Sequence, residues 1–395
     1  MRIGVVGCGV AGQAAAIFLS EAGHDVTIFE RFAEPRPLGA GLLLQPTGLA
    51  VLAALGLAEL ALALGAKVVG LEAKTHRGRS VLDLSYTDLH PAAHGLGIRR
   101  SALFDLLHGR LKRSPARLVA GMEIADADGT HLVDKAGTRQ GPFELIVVAD
   151  GAHSILRARC MPQAYARIYP WGCIWTTVPD RDGIGAAGLL RQRVRGTTEM
   201  IGLLPVAPGR LTIYWSLPLA TLAPDKPLDL VAMRRDAREL WPEAAATIAH
   251  ADDFSRATYR NVALPRWNEG QVLFIGDAAH GTSPQLGQGA NLALLDAWTL
   301  ADTLAAGGDL ADFAYRRSAS VRFYRQASHL LTPLFQSNLA PLGWLRDAFA
   351  GWACRLPAFR TVATTTLAGL RQGWLSSTAL DDGGAYRLRT LTHDS

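Results

Sequence analysis

The chain has 395 residues, 49% hydrophobic and 19% charged, with 40 Gly and 20 Pro; this globular composition excludes disordered and collagen-like chains, and the length suits two domains or one with a large insertion. Forty Lys and Arg against 35 Asp and Glu leave a net charge of +5, with no basic block interleaved with aromatics, so nucleic acid is not expected as a partner. The four cysteines, Cys8, Cys160, Cys173 and Cys354, form no Cys-x-x-Cys pair and no cluster with the histidines, which predicts no metal site and a reducing, cytoplasmic compartment.

An apolar strand over residues 3–6 leads into Gly7-Cys8-Gly9-Val10-Ala11-Gly12, a helix over 11–22 and a second strand over 25–29 that ends at Glu30. This is a βαβ opening with a right-handed crossover, and it sets aside the reading of the first twenty residues as a secretory signal. The three glycines supply a tight turn, close approach of backbone to a pyrophosphate and close packing of helix on strand. Beyond Gly9, Val10 and Ala11 begin the helix whose exposed N–H groups would meet the diphosphate. Glu30 lies 18 residues after Gly12, where an acid accepts hydrogen bonds from a ribose and repels a 2′-phosphate, which suits the adenosine of FAD or NAD. Arg31, beside it, joins the cofactor-binding candidates.

The apolar stretch 48–70 carries Glu59 and is punctuated by Gly56 and Gly65, which predicts two short helices in a soluble protein rather than a membrane span. Short alternating segments between 67 and 97, such as 80–85, predict antiparallel strands. A helix over 101–111 follows, with Leu103, Leu106 and Leu107 on one face. Residues 145–149 form a continuous apolar run of the kind found in buried parallel strands, and it ends at Asp150-Gly151. Ligands bind at such strand ends, and Arg157, one turn on, could face a phosphate; an ordinary turn with a surface arginine explains the same residues. His153 reads as a solvated histidine.

From 168 to 265, β-rich segments at 172–178, 199–206 and 210–217 predict a mostly antiparallel sheet. Tyr214 in that sheet is a candidate for polarising a bound substrate, with a packed sheet aromatic as the plainer alternative. Trp171, Trp175 and Trp215 could line an apolar pocket or simply pack the sheet. A strand over 272–275 then precedes Gly276-Asp277-Ala278-Ala279-His280, followed by Pro284, Gly287-Gln288-Gly289-Ala290-Asn291 and a helix over 289–304. Asp277 is placed to bond sugar-like hydroxyls, and the helix opened by Gly289, Ala290 and Asn291 to stabilise negative charge on a reduced flavin. His280 reads as a hydrogen-bonded core histidine rather than a proton-transfer group. Bringing positions near 10 and near 280 to one ligand implies a long molecule with a phosphate end and a ring end.

Beyond 310 the chain reads as helical with interruptions at Pro333, Pro341 and Pro357, and 381–395 as a loose tail. Leu330, Leu331, Leu334, Phe335, Leu342, Trp344, Leu345 and Trp352, with Arg346, Arg355 and Arg360 among them, predict a surface docked on the rest of the protein or on a dimer partner in preference to a membrane. A monomer or homodimer is expected.

The three motifs, in this order and spacing, resemble the class A flavoprotein monooxygenases built on the para-hydroxybenzoate hydroxylase fold. Gly39-Ala40-Gly41, Gln45-Pro46 and Arg100 with Leu103 after Gly97 add to the likeness, which covers about residues 1–305 and is closest to salicylate-hydroxylase-like and ubiquinone-pathway hydroxylases. It implies an α/β fold: a Rossmann-like FAD-binding domain of the GR2 type (1–68, 98–167 and 266–310), a mostly antiparallel substrate-binding sheet (69–97 and 168–265), and C-terminal helices (311–395). It implies non-covalent FAD with the glycine loop at the pyrophosphate, Glu30 on the adenosine ribose, Arg100 and Asp277 near the ribityl-diphosphate, and Pro284 to Asn291 around the ring. Asp150 and Arg157 would serve both FAD and transiently bound NADH or NADPH. In such enzymes oxygen adds at flavin C4a and one atom passes as a hydroxyl to an electron-rich aromatic or quinol-like substrate. The extra C-terminal domain of some aromatic hydroxylases and the Trp-x-Trp-x-Ile-Pro stretch of flavin halogenases are not expected here. A flavin dehydrogenase or reductase without oxygen transfer, and a non-catalytic flavin-binding protein, are the alternatives.

Overall fold

The computed structural model describes residues 1–36, 41–223 and 225–380; Gly39 and Ala40 and the tail expected over 381–395 lie outside the described residues. At its centre the strand Arg2–Val6 pairs in parallel with Asp25–Glu30 on one side, Val5 opposite Ile28, and with Leu145–Val148 on the other, Val5 opposite Val147. Arg117–Ala120 and Val272–Phe274 extend the sheet in parallel, and the short Asn268–Glu269 closes one edge antiparallel. Connections leave Arg2–Val6 in opposite directions, so a crevice opens at the C-terminal ends of these strands, beside Gly7 and Asp150.

Both faces of this sheet are covered, which is why its strands read as continuous apolar runs. Ile3, Val5 and Val147 pack against the helices Val10–Glu21 and Gly289–Ala305. Val6, Ile146 and Val148 pack against Ile124, Leu132 and Phe143, contributed by a small three-stranded sheet and the segment after it. The expected pair of short helices forms as Pro46–Ala54 and Ala58–Leu64.

A second, seven-stranded sheet runs in the order Ser255–Ala263, Tyr165–Pro179, Arg210–Pro218, Glu199–Ala207, Leu189–Arg195, Gly70–Thr75, Ser80–Ser85. It is antiparallel except where Leu189–Arg195 lies parallel to Gly70–Thr75. Its alternation gives it two different faces. Ile174, Ile201, Leu203, Ile213 and Trp215 point into a separate core closed by Leu240, Trp241 and Ile248. Leu71, Ala73, Leu84, Val194, Met200 and Leu204 point the other way, into the core of the first unit.

Two sequence-based boundaries shift. The limit expected at residue 97 falls inside the strand Gly95–Arg99, which pairs with Gly41–Leu44 and Ala66–Val68 in a three-stranded sheet of its own. That sheet lies directly on the large one: a Cβ on Gly97 would sit 1.8 Å from the Pro205 carbonyl oxygen. Pro333 does not end its helix, which runs Leu310–Phe335 with the proline inside its last turn. Pro341 and Pro357 open helices, Ala340–Ala353 and Pro357–Leu367, where a missing N–H costs nothing. Trp344, Leu345, Phe349 and Trp352 remain exposed on the first of these. No helix among the described residues is long and apolar enough to cross a membrane.

Candidate functional site

The glycine loop has a separate physical reason at each position. Gly7 has φ +99°, open to glycine, and a Cβ there would meet the Ala149 carbonyl oxygen at 2.6 Å. A Cβ on Gly12 would stand 1.9 Å from the Gly7 carbonyl oxygen, so helix and turn touch backbone to backbone. Gly9 differs: its φ is −79°, and nothing lies within 4 Å of its Cβ position. It opens the helix Val10–Glu21 onto free space, with the N–H groups of that first turn facing it. Gln13, wholly buried, stiffens the loop by donating from Nε2 to the Cys8 carbonyl at 3.0 Å. Cys8 is inert at neutral pH, since burial and then the nearby Glu30 charge push its thiol up to about 12.

Glu30 accepts from the Cys8 N–H on Oε2 at 2.8 Å and from the Phe32 N–H on Oε1 at 3.0 Å. The carboxylate therefore braces the glycine loop, and each oxygen keeps a lone pair for a ribose hydroxyl. Arg31 is exposed and lies over the Phe32 ring, 4.7 Å from its centroid.

Asp150 follows the strand Leu145–Val148, and its Oδ1 is buried without a partner. Burial pushes its carboxyl up to about 6. Arg157 is not the surface arginine of an ordinary turn. It is 3% exposed and donates from Nη1 to the Ala278 carbonyl at 3.0 Å and from Nη2 to the Ala152 carbonyl at 2.8 Å. The side chain thus ties the Asp150 turn to the Asp277–His280 turn, because a carbonyl of each offers it an acceptor. His153 is exposed, as a solvated histidine would be.

Gly276, with φ +59°, is wedged between two helices: its Cβ would meet Ala11 Cβ at 3.0 Å and Ala293 Cβ at 3.4 Å. Positions near 10 and near 280 are thereby joined. Asp277 is exposed at the start of its short helix, with Oδ1 3.6 Å from the Cβ position of Gly289. Pro284 begins a single 3-10 turn, Gly287 takes φ +62°, and Gly289 and Ala290 start the helix Gly289–Ala305. Asn291 has a structural task that its position in the motif did not disclose. It is fully buried, accepts from the Gln45 N–H at 2.8 Å and donates to the carbonyls of Leu43 at 3.2 Å and Gly287 at 3.1 Å. It fastens the helix to the strand Gly41–Leu44.

Below this turn lies a group that sequence reasoning missed. Asp296 is fully buried and accepts from the Gly276 N–H at 2.9 Å and Arg317 Nε at 2.8 Å, with His280 Nε2 at 2.6 Å. Burial alone raises its carboxyl, but the fields of His280 and Arg317 outweigh that and hold it below the ordinary carboxylate range. His280 is the hydrogen-bonded core histidine expected, set edge-on against Trp267.

The face of the large sheet that turns toward the first unit carries Trp175 opposite Tyr214, and Cys173 opposite Ser216. Tyr259 hydrogen-bonds Cys173 Sγ at 2.6 Å and neighbours the Tyr214 hydroxyl. Arg100, at the start of the helix Arg100–Leu111, reaches across to Trp175, 5.1 Å from the ring centroid. Burial pushes both tyrosine hydroxyls far above their usual value and the Cys173 thiol up to about 12, so these three groups are neutral, and the Arg100 guanidinium brings a positive charge beside them. Of the three tryptophans considered, Trp175 lies on this face and Trp215 on the opposite one.

The residues present fit a dinucleotide with a ring at its far end. Open space flanks Gly9, the buried Asp150 Oδ1 lacks a donor such as a sugar hydroxyl supplies, and the helix starts at Val10 and Gly289 both face the crevice side of the sheet.

Comparison with known proteins agrees. Residues 1–309 match the family model described as FAD binding domain. The chain is 28% identical over 358 residues to 2-heptyl-3-hydroxy-4(1H)-quinolone synthase of Pseudomonas aeruginosa, covering 88% of this chain and 93% of that one. It is 32% identical over 347 residues to 3-amino-4-hydroxybenzoate 2-monooxygenase of Streptomyces cremeus, covering 83% and 84%. Its fold matches the crystal structure of Klebsiella pneumoniae HpxO complexed with FAD and uric acid, with a TM-score of 0.79 at 20% identity over 95% of this chain and 98% of that one. The chain belongs to the FAD binding domain family and is a class A flavoprotein monooxygenase.

Proposed function

We propose that this monooxygenase hydroxylates an electron-rich aromatic or heteroaromatic molecule, with NADH or NADPH as reductant. The observation that carries this reading is the pairing of two surfaces. The crevice between Gly9 and Gly289 suits FAD, and the sheet face bearing Trp175, Tyr214 and Tyr259 offers an aromatic surface with neutral hydroxyls. When bound, FAD supplies reduction by NAD(P)H and activation of molecular oxygen.

This chain's own residues bind and orient. The first-turn N–H groups after Gly9 hold the pyrophosphate, and Glu30 accepts from the adenosine ribose while bracing the loop. Asp150 Oδ1 and the exposed Asp277 accept from sugar or ribityl hydroxyls. Pro284, Gly287, Gly289 and Ala290 shape the ring end, where the positive end of the helix Gly289–Ala305 stabilises negative charge by about 0.3–1 kcal/mol, more when dry. Arg157 and Asn291 act indirectly, by fixing the turns that do the binding. Tyr214 donates toward a substrate oxygen or ring nitrogen without ionising, since its hydroxyl is held neutral.

The relatives act, by their names, on a quinolone and an aminohydroxybenzoate, which supports an aromatic substrate. The test is oxidation of NADH or NADPH by the purified yellow protein across phenols, quinolones and aminobenzoates under labelled oxygen gas. Label in the product supports the proposal. Reduction of flavin with no label in any product would favour a dehydrogenase.

A further inference from the structure

Gln336 sits where the ring-end turn and the large sheet meet. It follows the helix Leu310–Phe335, and its N–H still donates to the Thr332 carbonyl at 2.8 Å. One turn earlier Thr332 Oγ1 is 2.7 Å from the hydroxyl of Ser283, the residue before Pro284. Gln336 Nε2 reaches the other way, donating to Ser216 Oγ at 2.7 Å and to Tyr214 Oη at 3.1 Å, and its main-chain carbonyl accepts from Tyr169 Oη at 2.7 Å. The end of this helix therefore joins the turn at the proposed flavin ring, through Thr332, to the wall of the proposed substrate chamber, through Gln336.

Its carboxamide is half used. The residue is 1% exposed, the amide donor is spent on two hydroxyls of the sheet, and Oε1 is buried with no partner. An amide oxygen left unpaired in a dry site is costly, and in native proteins such an atom calls for a donor. Tyr214 and Ser216 receive from the amide, Tyr259 turns to Cys173, and none of these groups answers Oε1. Among the described residues no donor reaches Oε1, and an N–H or O–H of a bound molecule would complete it.

Resting on the monooxygenase reading above, we propose that Gln336 is a specificity-determining residue whose Oε1 accepts a hydrogen bond from a ring N–H or hydroxyl of a heteroaromatic substrate, holding it against Tyr214. The C-terminal helical segment then takes part in substrate choice, a task the sequence reading left to residues 168–265.

The test uses FAD-loaded protein and a probe pair, 4(1H)-quinolone and its N-methyl derivative, with binding read from the change in flavin absorbance. Wild type binds the N–H compound about tenfold tighter, the size of one well-made hydrogen bond. Gln336→Met keeps length and apolar volume but has no acceptor, so the preference falls to within about twofold with FAD content unchanged. Gln336→Glu restores an oxygen at the same place and recovers the preference, which a purely structural role would not do. A preference that survives in Gln336→Met, or a wild-type protein that turns over aromatics yet treats the two quinolones alike, overturns the assignment of Gln336. A yellow wild-type protein that no aromatic stimulates to oxidise NADH or NADPH overturns the monooxygenase reading itself, and the Gln336 assignment with it.

Discussion

Arg317 donates from Nε to Asp296 at 2.8 Å, and both side chains are buried beneath the turn that carries Asp277. The other carboxylate oxygen takes the Gly276 N–H and faces His280. A charged pair in the core thus fixes the backbone at Gly276, one residue before a proposed contact to FAD. Its role is to hold a turn in place, and its strength rests on neither partner being removed alone.

Asp296→Asn preserves shape and strips the negative charge, leaving Arg317 buried and uncompensated. Removing one partner of a buried pair costs about 3–5 kcal/mol, and urea unfolding of the FAD-free protein reads the loss directly. A drop of less than about 1 kcal/mol, the range of exposed pairs, would show that the pair is not desolvated. Because the Asp296 carboxyl lies below the ordinary range, its stabilisation is fully present above about pH 4 and is lost only as pH falls through the lower folded value.

Gly9 and Gly12 separate cofactor binding from folding. Gly9→Ala places a methyl in open space at an ordinary φ of −79°, so stability stays within about 0.5 kcal/mol of wild type. The methyl then stands where a pyrophosphate must approach, and FAD affinity falls by at least about tenfold. Gly12→Ala instead drives a Cβ to 1.9 Å from the Gly7 carbonyl oxygen and destabilises the protein itself. Thermal melts with and without FAD distinguish the two; equal FAD retention in Gly9→Ala would move the pyrophosphate elsewhere.

What the sequence discloses here is what the backbone requires locally. The glycine spacing, the apolar strands ending at Gly7 and Asp150, and the acid at Glu30 are short-range signals tied to left-handed turns and to parallel strands buried on both faces. Arg157, Asn291, Asp296 and Gln336 could not be assigned that way, because their partners are set by packing between distant segments. Asn291 bonds Gln45 and Leu43, and Gln336 bonds Tyr214 and Ser216. A motif places such a residue near the cofactor without saying whether it touches cofactor or scaffold. Pro333 shows the converse: a strong local breaker signal lies inside a helix that runs on for two more residues.

Asn291→Ala removes three hydrogen bonds at once and leaves the Gln45 N–H and the Leu43 carbonyl unpaired in the core. Each unsatisfied buried group costs about 1–3 kcal/mol, so a loss of several kcal/mol in unfolding free energy is expected. Asn291→Asp keeps the acceptor for Gln45 but not the donor, and falls between. If Asn291→Ala lost FAD while melting like wild type, the side chain would be a cofactor contact and its scaffold role secondary.

Asp150 supplies a pH signature. Its carboxyl is pushed up to about 6 by burial, with Oδ1 unpartnered. The folded value exceeds the ordinary one of about 3.9, so in the FAD-free protein this group favours folding while protonated, below about pH 4, and the contribution is lost as pH rises through the folded value. A hydroxyl of FAD donating to Oδ1 favours the ionised form and lowers the value in the complex. FAD affinity therefore increases as pH rises through that value, by up to tenfold for each unit the bound group is lowered. Titrating FAD into stripped protein by fluorescence quenching, from about pH 5 to about pH 7.5, follows the change. Asp150→Asn removes that slope while retaining a hydrogen-bonding side chain; a slope that persists in Asp150→Asn would assign it to another group and place the FAD hydroxyls away from Asp150.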